Sequence, residues 1–144
     1  MSQDLIRAAF EKRLNDWAKA RTPALAVAWQ NTKFTPPTSA VYLRAYVLPA
    51  ATISRDAAGD HRQYRGVFQV NVVMPIGAGS RGAEQIAGEL DALFPVNLSM
   101  PSGGLAVRVR TPISAGQPTT GDADHTVPIS LGYDVQFYPR LPRP

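Results

Sequence analysis

One stretch constrains the fold more than any other. From Gln63 to Met74 apolar and polar residues alternate as in a long β-strand. After Pro75 the period changes, and Ala83, Ile86, Ala87, Leu90, Leu93 and Phe94 recur at helical spacing until Pro95. The sequence therefore predicts a strand over about 63–74 and a helix over about 80–94. Between them lies Gly77-Ala-Gly79-Ser-Arg-Gly82, the outline of a dinucleotide fingerprint. Such a site needs a parallel βαβ unit, the pyrophosphate on the helix N-terminus and an acid about 20 residues further on for the ribose. No carboxylate lies between Asp91 and Asp122, and the next strand follows Pro95 and the Pro101-Ser-Gly-Gly104 turn. The strand before the glycines also comes too late in the chain to be a first Rossmann strand. The glycines accordingly read as a strand-to-helix turn, and no nucleotide or other cofactor is assigned.

Around this centre the remaining elements follow from the same periodicities. Residues 3 to 20 carry Leu5, Ile6, Ala9, Phe10, Leu14, Trp17 and Ala18 on one helical face, with Ser2 as N-cap, Asp4 in the first turn, and Lys19 and Arg21 near the end. Pro23 stops that helix. Leu25, Val27 and Trp29 mark a short strand, and the segment 30–37 is a polar connection with two prolines. In the next strand Val41, Leu43, Ala45 and Val47 form an apolar face, and Tyr42, Arg44 and Tyr46 form an amphipathic one. Thirteen mostly small and polar residues, Pro49 to His61, then join it to the long strand as a hairpin loop. Loops of that length are commonly functional or disordered, so this one is expected to be mobile in the free subunit.

A fourth strand carries Leu105, Val107 and Val109 with Arg108 and Arg110 alternating, Thr111 to Asp124 reads as a second polar loop, and Thr126 to Tyr138 closes the chain. The order is α-β-β-β-α-β-β, a single α+β domain over 1–144 with a mixed, mainly antiparallel sheet and two helices. At 144 residues one core of ordinary size is attainable. With no cysteine there is no disulfide framework, thiol nucleophile or cysteine-based metal site. No apolar run has membrane-spanning length and no secretory signal is evident, so a soluble, unprocessed chain is expected.

The charge balance is 15 Lys+Arg against 11 Asp+Glu, and only Lys12, Lys19 and Lys33 are lysines. Arginine suits interfaces because its planar fork pairs with several acceptors at once. The arginines are spread along the chain without a basic stripe, so direct nucleic-acid binding is not expected. His61 beside Asp60 and Arg62, and His125 beside Asp124 and Asp122, would need their two loops to meet before they formed a metal or acid–base site. They lack the convergent ligand spacing of zinc and the context of a catalytic triad, so they read as solvated loop histidines, with no catalytic or metal residue assigned. Glu84 suits the positive helix end, and Glu89 and Asp91 suit a solvated helix face.

Three segments resemble a known family. They are Ala28-Trp-Gln-Asn31-Thr-Lys-Phe34-Thr-Pro36-Pro37; Val41-Tyr-Leu-Arg44 leading to Leu48-Pro49; and Tyr64-Arg65-Gly66-Val-Phe-Gln69-Val70-Asn-Val-Val-Met-Pro75-Ile-Gly77. In order and spacing, with the helix ending in Phe94-Pro95 and the last strand Val127-Pro-Ile-Ser-Leu-Gly-Tyr133, the pattern is similar to small phage or prophage tail proteins of the tail-terminator type. The resemblance implies a structural role without catalysis. It implies a ring, typically of six subunits, that caps the completed tail tube, stops polymerisation and offers a surface to the head connector. The implied partners are the chain itself, the major tail tube protein and the head–tail connector. The implied location is the virion tail, after synthesis in the bacterial host cytoplasm. Arg44, Tyr42, Tyr46, Arg55, Arg62, Arg108 and Arg110 are the candidate contact residues, because the strand arginines alternate with core positions and Arg55 and Arg62 belong to the long loop. A head–tail joining adaptor and a small-ligand or nucleotide-binding enzyme stand as competing readings.

Overall fold

The computed structural model describes residues 2–22, 24–30, 32–37, 40–50, 52, 62–77, 81–121 and 124–137. Helix α1 (Ser2–Ala20) buries Ile6, Phe10, Leu14 and Ala18, one residue per turn on one face. Asp4 lies in its first turn and Lys19 in its last, matching the charge at each helix end. The chain doubles back through a Leu25 N–H to Ala18 carbonyl bond of 3.1 Å and enters β1 (Ala26–Ala28).

Strand β1 pairs in parallel with β2 (Tyr42–Pro49), and β2 pairs antiparallel with β3 (Arg62–Pro75). The long hairpin between β2 and β3 is thus present, although most of its loop, including 53–61, lies outside the described residues. After β3 comes α2 (Arg81–Leu93), then β4 (Ser99–Ser102) and β5 (Leu105–Val109). A tight turn joins the last two, in which Gly103 and Gly104 take φ of 54° and 88°, values open to glycine without strain. The chain then runs along the edge of β8 (Asp124–Phe137) through two short strands, β6 (Ser114–Ala115) and β7 (Thr119–Thr120). The sheet order is β1-β2-β3-β8-β5-β4, with β3 and β8 paired along their full 14 residues.

The α+β class and the order of the major elements are as the periodicities dictate. The structure adds β4, β6 and β7. The last two lie within the segment expected to be loop, since two-residue pairings to a neighbouring strand leave no period in the sequence. Arg110 follows β5 instead of belonging to it, although its N–H still donates to the Gly132 carbonyl at 2.8 Å.

Both helices pack on one face of the sheet. There Ile6, Phe10 and Leu14 meet Ala83, Ile86, Leu90 and Phe94 over Leu43, Phe68, Val70, Val72, Leu131 and Tyr133. Phe10 stacks on Phe68 with ring centroids 4.4 Å apart, and Phe94 and Tyr133 pack beside it at 5.9 and 5.4 Å. Arg21 fixes the helices to one another through a two-pronged pair with Glu89, at 3.0 and 2.7 Å.

Candidate protein interface

Among the described residues the other face of the sheet carries no helix, and strand alternation decides which side chains stand on it. Opposite the core positions Leu43, Ala45 and Val47 stand Tyr42, Arg44, Tyr46 and Leu48 of β2. The register sets these beside Val73, Asn71, Gln69 and Val67 of β3, and those beside Thr126, Pro128, Ser130 and Gly132 of β8. One row further on, Arg65, Asp134 and Arg108 lie side by side on β3, β8 and β5.

Three environments result. At one end the Phe34 ring lies 5.4 Å from that of Tyr42, so the polar connection folds over this corner and buries Tyr42. Arg44 lies over the Tyr42 ring at 5.4 Å and donates to its hydroxyl at 3.4 Å. The hydrogen bond to Tyr42 raises the Arg44 pKa above its already high value, so the cation is secure at any physiological pH. In the middle Gln69 donates to Asn71 at 2.8 Å, next to Leu48 and Val67, a register pair left 44% and 37% exposed.

At the far end the carboxylate of Asp134, a residue only 3% exposed, accepts from Gln63 at 3.3 Å, from Arg108 at 3.3 and 3.4 Å, and from Arg110 at 3.0 Å. The side chains of Arg108 and Arg110 are 42% and 51% exposed. The structure therefore places Arg44, Tyr46, Arg108 and Arg110 on one continuous surface, whereas Tyr42, expected to be exposed with them, stands on the same side of the sheet but is buried beside Phe34. Arg108 and Arg110 already hold a structural partner in Asp134, which alternation alone does not reveal. Arg62 opens β3 opposite Phe137, and its side chain lies outside the described residues, as does all of Arg55. Sequence reasoning missed Leu48, Arg65, Val67 and Asp134. Their parity along the strands was available as a signal, but their adjacency depends on the register between strands.

The remaining candidates resolve as follows. β3 is antiparallel to both its neighbours, so the strand before the glycine run does not form a parallel βαβ unit with α2. Gly77 takes φ of 85°, and a side chain at Gly82 would meet Met74 Cε at 3.1 Å, so both glycines serve the turn and the packing behind it. Gly79 and His61 lie outside the described residues, and His125 Nδ1 is 2.9 Å from the Thr120 hydroxyl. Among the described residues no group of three or more His, Asp or Glu converges as for a metal. A groove of about 590 Å³ between α1 and β4 is lined by Ala9, Trp17, Leu93, Met100 and Pro101. At its rim Lys12 pairs with Asp16, and Arg13 donates to the Leu93 carbonyl at 2.8 Å. No helix among the described residues is long and apolar enough to cross a membrane.

No curated protein matches the sequence. A solved structure of a protein 90% identical to this chain superimposes with a TM-score of 0.83, covering 97% of this chain and 99% of its own. The family model of phage tail terminator proteins matches residues 5–133, from the first turn of α1 to Tyr133 in β8. Since that match takes in both helices and every strand of the sheet, the chain belongs to the phage tail terminator family, a structural family of the virion tail.

Proposed function

We propose that the protein closes into a ring, a hexamer, on the end of the completed tail tube. There it stops further addition of tube subunits and presents a surface to the head–tail connector. The observation that carries this reading is the family match over residues 5–133. The surface chemistry supports it: the helix-free sheet face combines exposed apolar residues with arginines and tyrosines, the composition of a protein interface more than of a solvated sheet. On this reading Arg44, Tyr46, Arg108 and Arg110, together with Arg55 of the long loop and Arg62 at the start of β3, make ring or tube contacts, and Tyr42, buried beside Phe34, holds Arg44 in place behind them. The partners are the chain itself, the major tube protein and the connector. The role requires no catalysis and no cofactor, and the subunit is made in the host cytoplasm before joining the tail.

The test is tail assembly in a host that makes every tail component except this protein. Negative-stain images should show overlong tubes with bare ends, and adding the purified protein should restore a fixed length and a terminal ring. Tubes of normal length that fail only to join heads would assign the protein to joining instead of termination.

A further inference from the structure

The sheet face described above and helix α2 lie on opposite layers of the subunit, and their charges are opposite too. On the sheet face the cations are Arg44, Arg65, Arg108 and Arg110, and between the Tyr42 and Asp134 rows the one carboxylate among the described residues is Asp134. After Arg81, α2 has no basic residue, and none follows before Arg108. Its solvent side exposes Glu84, Gln85, Gly88 and Asp91, while Glu89 is engaged by Arg21. Helix α1 offers no equivalent surface, because Arg7, Lys12, Arg13 and Lys19 interrupt its acids.

We propose that the acidic side of α2 in one copy docks on the arginine-bordered sheet face of the next copy, and that this head-to-tail contact is the one that closes the ring. The proposal rests on the ring reading above and identifies its two surfaces. A ring needs a heterologous contact, in which a patch meets a different patch and both remain available on every subunit. Two surfaces on opposite layers satisfy that condition.

The dimensions agree. Helix α2, 13 residues and about 20 Å long, spans about four strands at about 4.8 Å each. Glu84 and Asp91 are about 10 Å apart along it. Arg65 and Arg108 flank Asp134 in register, two strand spacings or about 10 Å apart. An α2 crossing this row with Glu84 over Arg65 would set Asp91 near Arg108 and lay Gln85 beside the exposed Val67.

The sheet edges are poor alternatives. Pro101 in edge strand β4 has no N–H to offer, and β1 at the other edge has three residues. Just beyond β1 the Val47 N–H is already capped by the Gln30 side chain at 3.1 Å. A phosphate backbone would satisfy the arginines but gain nothing from Leu48 and Val67, which favours a protein occupant.

The absence of cysteine makes the contact directly testable. Full-length protein carrying R65C and E84C is assembled on tail tubes, the terminal ring is checked by negative stain, and a short bismaleimide is added. The expected result is a ladder of covalent multimers extending past the dimer, with R65C or E84C alone giving no ladder. A second pair, V67C with Q85C, serves if the first disturbs folding by circular dichroism. In parallel, R65E/R108E should lower complementation at least tenfold, and adding E84R/D91R to the same chain should restore it. Rings without a ladder from either pair, or dimers from a single-cysteine variant, would overturn this contact and leave the ring reading standing. Loss of duplex-DNA binding in R65E/R108E, with no ladder, would reassign the face to nucleic acid. Capped tubes holding one copy of the protein would overturn the ring itself.

Discussion

Gly66 is the position where the packing leaves least room for a side chain, so Gly66→Ala is a demanding test of the fold. A methyl group there would collide with the Leu48 carbonyl and come within 2.7 Å of the Tyr133 hydroxyl and 2.9 Å of Pro49 Cα. Carbon–oxygen contacts are comfortable only beyond about 3.3 Å, so both neighbours would have to move by several tenths of an ångström. Neither is loose. Leu48 and Pro49 belong to β2, which is hydrogen-bonded to β3, and the Tyr133 ring is wedged against Phe10. Overpacking of this kind costs about 1–3 kcal/mol, and the chain-entropy gain of alanine over glycine returns about 0.5–1. A net loss of about 1 kcal/mol is expected, lowering Tm by about 2–4 °C at this size. Gly88 is the control: it sits on the exposed side of α2 with open space around it, so Gly88→Ala should stabilise the subunit by about 0.5–1 kcal/mol. Thermal and urea unfolding followed by circular dichroism give both values. In a Tyr133→Phe background, where one collision partner is gone, the Gly66→Ala penalty should shrink. A Gly66→Ala variant as stable as the parent, or a penalty unchanged by Tyr133→Phe, would refute the steric account.

Tyr133→Phe alone should leave stability unchanged or raise it by up to about 1 kcal/mol at neutral pH, because the buried hydroxyl has no hydrogen-bond partner among the described residues. Burial pushes the Tyr133 pKa up to about 12, against about 10 in the unfolded chain, so its contribution is fully present below pH 10 and drains away between pH 10 and 12. The parent should therefore lose roughly 2–3 kcal/mol more than the phenylalanine variant over that window in urea titrations. The hydrogen bonds from Arg21 hold Glu89 below the usual carboxylate pKa despite the opposing effect of burial, so its contribution is present above about pH 4.5 and lost as pH falls further. Glu89→Gln should flatten that acid limb and cost about 1–2 kcal/mol at pH 7, read from the urea midpoint. Asp134→Asn, which keeps the shape but removes the charge shared by two half-exposed arginines, should cost about 1–2 kcal/mol in the same assay.

What the sequence disclosed and what it concealed divide along one physical line. The spacing of Ile6, Phe10, Leu14 and Ala18 follows from the helix period, and the alternation of Phe68, Val70, Val72 and Met74 follows from the strand period. Both depend on neighbours a few residues away, and both appear in the core as read. The grouping of Tyr42, Arg44 and Tyr46 on one side of a strand is local in the same sense. The Leu48–Val67 pair depends on a register set across a hairpin loop of a dozen residues. The meeting of Arg108 and Arg110 with Asp134 depends on pairing between residues 24 and 26 positions apart. Short strands β6 and β7 exist only because β8 extends past β5 and offers a free edge, a circumstance absent from their own Ser-Ala and Thr-Thr sequences. The Arg65-Gly66 pair shows the intermediate case: it was legible as a motif, but the reason for its glycine is the approach of Leu48 and Tyr133 from the two adjacent strands.

The arrangement around Asp134 explains how a surface can be stable in the free subunit and still ready for a partner. A carboxylate buried to this degree would be costly if left alone, and the Gln63 amide with two guanidiniums offsets that cost within the monomer. One negative charge cannot neutralise two arginines, so the cluster keeps a net positive charge next to Arg65. A guanidinium has five N–H donors and Asp134 engages only some of them, so Arg108 and Arg110 can each accept a second carboxylate without leaving the first. Side chains already held in place also lose less rotamer entropy on association, a saving of about 0.5–1.5 kcal/mol for each one not newly immobilised. Lysine would not serve as well, because its compact ammonium on a flexible stem lacks the planar fork that lets one side chain bridge an internal and an external acceptor. The main apolar core lies on the opposite side of the sheet, so the outer face contributes little to folding beyond this anchor and the buried corner of Phe34, Tyr42 and Val73. Its composition is accordingly free to answer to a binding partner.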